Sequence, residues 1–215
     1  MAQVFSRRAQ LGVKLSFLSL AGILLALLAW WAGAHRADER IGEPIGQPIP
    51  FSHKHHVGDD GIDCRYCHTT VETSAFAGLP STAICLGCHA QLYADAAVLE
   101  PLRRSAASGQ PIEWQRDHSL PDFVFFNHSV HVAKGVACLE CHGHVDQMPI
   151  TWRVQRLDMQ WCLGCHRDPA PHLRPQSEVF SMDRSAAGTA DATALARSVP
   201  LESERRRLDC STCHR

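Results

Sequence analysis

Residues 51–68 read Phe51-Ser-His53-Lys-His55-His56-Val-Gly-Asp-Asp-Gly-Ile-Asp63-Cys64-Arg-Tyr-Cys67-His68. A histidine cluster leads into a Cys-x-x-Cys-His unit, and a second unit follows as Cys85-Leu-Gly-Cys88-His89. The design returns as Phe126-Asn-His128-Ser-Val-His131, then Cys138-Leu-Glu-Cys141-His142, then Cys162-Leu-Gly-Cys165-His166. A fifth unit is Cys210-Ser-Thr-Cys213-His214. Cys-x-x-Cys-His is the attachment pattern for c-type haem. Its two thiols add to the vinyl groups, and the adjacent histidine reaches the iron from one face. The units are numbered here as sites 1 to 5 in chain order.

Zinc binding and disulfides are the competing readings. Cys67 and Cys85 are separated by 17 residues, a spacing that also suits a zinc ribbon. Histidine, however, follows all five Cys-x-x-Cys pairs although it is only 14 of 215 residues. All 10 cysteines are used in these units, which leaves none for a disulfide. The expectation is therefore five covalently bound haems c. The covalent attachment residues are Cys64, Cys67, Cys85, Cys88, Cys138, Cys141, Cys162, Cys165, Cys210 and Cys213. The proximal iron ligands are His68, His89, His142, His166 and His214.

Working outward, each copy needs a second axial ligand, whose identity tunes the haem potential. His53 and His56 lie three residues apart, as do His128 and His131. On one helical turn such residues share a face, so each cluster could serve two neighbouring haems. That supplies four distal histidines for sites 1 to 4. His55 faces elsewhere in this reading. The fifth distal ligand is Met148 or His118; Met159 is read as a packing residue, and His144 and His172 as surface residues. The two copies repeat at near-equal offsets, with His53 to His128 spanning 75 residues, Cys64 to Cys138 spanning 74 and Cys85 to Cys162 spanning 77. Val71 and Val145 each follow the site histidine by three. Two di-haem repeats are the expected organisation.

Composition bounds the rest. A net charge of −1 implies no general attraction to nucleic acid. Only 7% of residues are aromatic, with 14 glycines and 12 prolines, a thin inventory for a protein core. Buried porphyrins would supply the missing apolar surface, so the haem-free chain is expected to be largely unfolded beyond its N-terminal segment. Arginine-rich composition also suits haem propionates, although genomic base composition explains it equally well.

Along the chain, residues 1–12 are a polar N-terminus with Arg7 and Arg8. Residues 13–34 form a transmembrane anchor: from Ser16 to Ala34 there is no charge, and Trp30-Trp31 suits the interface. Positive charge before it and Asp38-Glu39 after it place the haem domain outside the cytoplasm, on the periplasmic side of the inner membrane. A cleaved signal peptide, with Ala32-Gly33-Ala34 as a cleavage site, is the less favoured alternative. Residues 35–50 read as a Pro/Gly spacer. Residues 51–110 and 111–175 hold the two repeats, and 176–215 carry the fifth haem. Ala90 to Ser108 is expected to be a short helix broken at Pro101. Pro169, Pro171 and Pro175 are expected to forbid regular structure, residues 183–200 to be a mobile surface stretch, and Ser203 to Leu208 a short helix.

Phe51-Ser-His-Lys-His-His-Val57, Pro111-Ile-Glu-Trp114, Leu120-Pro-Asp-Phe-Val-Phe-Phe-Asn-His-Ser-Val-His131 and Trp161-Cys-Leu-Gly-Cys-His-Arg167 resemble the pentahaem cytochrome c subunit of bacterial alternative complex III. That complex is a quinol-oxidising assembly, and the resemblance covers residues 11–215. It implies a fold similar to the small c7- and c3-type multihaem cytochromes: mostly irregular and α-helical, preceded by one transmembrane helix. It also implies partners, namely an integral membrane quinol-binding subunit, an iron–sulfur subunit and a monohaem cytochrome c. The function so implied is electron relay to a cytochrome c acceptor, with no independent substrate chemistry. A stand-alone quinol dehydrogenase, or a donor subunit of another periplasmic reductase, is the alternative. A nitrite- or hydroxylamine-converting enzyme would need an open iron, which six distal candidates for five irons disfavour. A pyridine haemochrome assay on matured protein should give five haems per chain; four or fewer would show that one motif is not used.

Overall fold

The computed structural model describes residues 6–37, 41–183 and 192–214. The chain divides into two units, residues 1–40 and 41–215. The first is one helix, α1 (Arg7–Ala37, 31 residues). Its stretch Arg7–Gly33 has a mean hydropathy of 2.2 and is long and apolar enough to cross a bilayer. Two serines within that stretch turn inward on the helix backbone. Ser16 Oγ donates to Gly12 O at 3.0 Å and Ser19 Oγ to Ser16 O at 3.0 Å. No hydroxyl of this pair therefore needs water, which suits a lipid surround. The charges Asp38 and Glu39 lie outside the described residues.

The second unit contains short helices joined by irregular chain; among the described residues its β-structure is confined to isolated bridges. The helices are α2 (Cys64–Cys67), α3 (Thr82–His89), α4 (Glu100–Ser108), α5 (His128–Ala133), α6 (Cys138–His142), α7 (Met159–Arg167), α8 (Ala192–Ser198), α9 (Glu204–Arg207) and α10 (Cys210–Cys213). Every Cys-x-x-Cys unit lies on one of them. Local capping starts several of these turns where packing alone would not. Asp63 accepts from Arg65 N at 2.8 Å, Asp158 from Trp161 N at 2.8 Å and Asp209 from Ser211 N at 2.9 Å. On such a turn the two cysteines and the following histidine fall at i, i+3 and i+4, on one face.

Three local expectations are corrected. Pro101 does not break a helix over 90–108; it begins α4, where its missing N–H is no loss. Residues 41–50 do not run as a free spacer. Gly42 N donates to Arg153 O at 2.8 Å, Gln47 exchanges hydrogen bonds with the backbone of Gln115, and Ile49 is buried. The prolines after site 4 allow short 3-10 turns, at Ala170–His172 and Gln176–Glu178. Within 183–200, residues 192–198 form α8, and 184–191 lie outside the described residues.

The apolar core is small and split. One cluster joins Ile49, Leu99 and Leu102, with Cys85, Leu86, Ile112 and Trp114 against it. The other joins Val71, Val132 and Val179, with Ala77 and Phe180. Each cluster lies beside attachment sites, as a domain short of its own core requires. Among the described residues the one buried cation is Arg174, 2% exposed; it donates to Asp183 O at 2.9 Å and pairs with Glu140, whose other oxygen meets His172 Nδ1 at 3.1 Å. Its presence holds the loop of Gly135, where φ is +87° and a side chain would collide with Arg174 O. Leu102→Ala should cost about 2–5 kcal/mol, read as a lowered thermal midpoint of the haem-loaded protein.

Candidate haem-binding sites

The two histidine segments adopt the same local geometry. In the first, His53 precedes a π-helical turn, Lys54–Asp59; in the second, His128 opens α5. Phe51 stacks on His56 at 4.4 Å and meets His53 edge-on at 4.9 Å. Phe126 stacks on His131 at 4.5 Å and meets His128 edge-on at 4.8 Å. His56 Nδ1 bonds Ser52 O at 2.8 Å, and His131 Nδ1 bonds Asn127 O at 2.7 Å. A phenylalanine thus holds apart two imidazoles that leave the turn in different directions.

Each of these four rings faces a motif histidine. The centroid separations are 6.4 Å for His53 and His68, 6.2 Å for His56 and His89, 6.4 Å for His128 and His142, and 6.2 Å for His131 and His166. Metal–imidazole bonds of about 2.0 Å on opposite faces of one ion place two ring centroids roughly 6 Å apart. The pairs are therefore spaced for one iron each.

The other ring nitrogens agree with this. His68 Nδ1 bonds Gly78 O at 2.7 Å, His89 Leu92 O at 3.0 Å, His128 Ala75 O at 2.8 Å and His166 Arg207 O at 3.0 Å. A carbonyl accepts only from N–H, so each such ring keeps Nε2 unprotonated, the form that ligates metal. His53 differs: its Nδ1 is buried without a partner, and Phe51 alone orients the ring. Burial favours the neutral form as well. It lowers the pKa of His53 to about 4 and of His142 to about 3, with neighbouring histidines adding to the effect, and it lowers that of His131. The same burial pushes the Cys141 thiol up to about 12 and raises Cys67 and Cys85. Thioether formation removes these costly ionisable groups. The residues present fit c-type haem at sites 1 to 4.

Site 5 is built differently. His214 Nδ1 bonds Phe123 O at 3.1 Å, its ring lies 5.8 Å from that of Phe123, and Phe125 N donates to Cys213 O at 2.8 Å. The two candidates for its second ligand have other neighbours. Met148 is 2% exposed, and its carbonyl accepts from Lys54 N at 3.0 Å. The His118 ring touches that of His142 at 4.4 Å, and its Nε2 is buried without a partner. His55 points away, toward Asp59 and Asp60. His144 pairs with Asp146 and His172 with Glu140. Met159, read as a packing residue, is 60% exposed. Sequence reasoning missed the Arg174–Glu140–His172 cluster, because nothing in the spacing of these residues shows that the chain folds them together.

No protein-family model matches the chain. A curated protein, the multihaem cytochrome c subunit of menaquinone reductase from Nitratidesulfovibrio vulgaris, is 36% identical over 151 residues. The match covers 69% of this chain and 63% of the relative, so the chain spans less than two thirds of that protein's length. With the haem attachment motifs, the likeness supports a multihaem cytochrome c subunit carrying covalently bound haem c. It does not single out alternative complex III.

His128→Ala should leave the matured protein with one five-coordinate haem, seen as high-spin signal and carbon monoxide binding equal to one site. His55→Ala, outside the pairs, should leave both readouts unchanged.

Proposed function

We propose that this chain is a membrane-anchored pentahaem cytochrome c that relays electrons in a quinone-linked complex. The observation that carries the reading is the set of four facing imidazole pairs at 6.2–6.4 Å, each joining a motif histidine to a duplicated histidine segment. In this reading Cys64, Cys67, Cys85, Cys88, Cys138, Cys141, Cys162, Cys165, Cys210 and Cys213 attach five haems. His68, His89, His142, His166 and His214 are proximal ligands, and His53, His56, His128 and His131 are distal. The fifth distal position stays between His118 and Met148: His118 lies against His142 of site 3, and Met148 is enclosed in packing.

When bound, haem supplies one-electron redox chemistry. The chain's residues hold and insulate it. Backbone carbonyls fix imidazole tautomers, Phe51 and Phe126 separate the distal rings, and burial favours the neutral form of His53 and His131. Two histidines on every iron of sites 1 to 4 would leave no position for a substrate, which favours electron transfer over substrate chemistry. α1 is the anchor in this reading, and the body lies on the periplasmic side.

The partners proposed are an integral membrane quinone-reacting subunit, an iron–sulfur subunit and a monohaem cytochrome c. The sequence resemblance points to quinol oxidation, as in alternative complex III, with cytochrome c as acceptor. The relative's name places a multihaem subunit in a menaquinone reductase, where electrons run toward the quinone. The same chain of sites serves either direction, and the potentials of the partners choose it. The remaining reading is a stand-alone quinol dehydrogenase.

Solubilised in mild detergent, the chain should copurify with integral membrane and iron–sulfur subunits, and a menaquinol analogue should reduce its haems only in that complex. Rapid reduction of the isolated chain by the same quinol would favour the stand-alone dehydrogenase instead.

A further inference from the structure

Building on the haem reading above, we infer that the five sites stand in the order 2–1–3–4–5 through the body. The first site in sequence is then internal, and sites 2 and 5 are the two termini. Three of the four junctions are local. Sites 1 and 2 draw His53 and His56 from one turn, and Phe51 touches both rings at 4.9 and 4.4 Å. The helices of these two sites also approach, since a side chain on Gly87 would sit 3.2 Å from the Tyr66 hydroxyl. Sites 3 and 4 draw His128 and His131 from α5. Sites 4 and 5 are tied by a reciprocal pair: His166 Nδ1 bonds Arg207 O at 3.0 Å, and Arg207 Nε donates to His166 O at 2.9 Å. Arg207 closes α9, and Cys210 opens α10 just beyond it.

The junction between the repeats decides the order, and it runs through site 1. The loop after His68 carries the second repeat: Ala75 O accepts from His128 N at 3.2 Å and His128 Nδ1 at 2.8 Å, and Ser74 O accepts from Ser129 N at 3.1 Å. The distal ligand of site 3 therefore hangs on the loop of site 1. On another side, Lys54 N donates to Met148 O at 3.0 Å, and Gly58 lies so close to the Asp146 carbonyl that no side chain would fit. The first cysteines of the two sites, Cys64 and Cys138, lie beside one another.

Site 2 has different company. Its Cys85 and Leu86 pack with Ile49, Leu99, Leu102, Ile112 and Trp114, on the side of α4. Exposure follows the same order. Cys88 and Cys210, one from each proposed terminus, are exposed, whereas the cysteines of sites 1, 3 and 4 are half-buried.

The order is tested by cryo-electron microscopy of the haem-loaded protein in its membrane assembly, which reads iron–iron distances directly. The iron of site 1 should lie between those of sites 2 and 3. Finding site 2 nearest to site 3, or site 1 with a single neighbour, would overturn the order. Missing haem at a motif would instead refute the reading on which the inference rests. In solution, His53→Met should raise the potential of site 1 and, through charge interaction, displace two further steps of a redox titration. One displaced step would mark site 1 as a terminus and contradict the inference.

Discussion

Pairs of imidazoles held 6.2–6.4 Å apart are the constraint on which this structure depends. Phe51 lies against His56 at 4.4 Å, the distance of rings in contact, whereas His53 and His68 are parallel at 6.4 Å. Holding two rings parallel but apart requires each to be oriented from behind. Backbone carbonyls on Nδ1 do so for His56, His68, His89, His128, His131 and His166, and a phenylalanine lies between the two histidines of each segment. The π-helical turn after Phe51 and helix α5 after Phe126 look like ordinary short helices until their outward rings are followed. Each then presents rings to two motif histidines at once, which brings the two motifs of a repeat together.

The thin core follows from the same constraint. Valines and leucines close off only two small clusters, and much of the remaining organisation is made by short capped turns and loop-to-loop hydrogen bonds. Aspartates ahead of Cys64 and Cys210 and the one at the start of α7 fix cysteine-bearing turns that are too short to persist alone. Arg174, Glu140 and His172 fasten the loop after α7 to site 3. A buried charge is tolerated here because both partners are supplied by the fold; removing Glu140 would strand the guanidinium.

Much of the site chemistry was legible in the sequence because it rests on short-range spacing. Cys-x-x-Cys-His puts three groups on one turn, and His-x-x-His puts two rings near one another, whatever surrounds them. Which distal ring meets which proximal ring was not legible. That depends on the Ala75 carbonyl receiving His128 and on α7 reaching His131, contacts between residues far apart in the chain. Pro101 was misread because proline's effect depends on its helix position, and the start of α4 is fixed by packing of Leu99 and Leu102. The stretch 41–50 was read as a spacer from composition, but extended chain can also be stitched to a body by its backbone, as Gly42 is to Arg153.

The most direct test of the central claim is near-infrared magnetic circular dichroism of the fully oxidised, haem-loaded protein, whose charge-transfer bands report the axial ligands of low-spin ferric haem. The facing pairs predict intensity equal to four bis-histidine haems, with the fifth set by its own distal ligand. Fewer than four bis-histidine haems in matured protein would contradict the account.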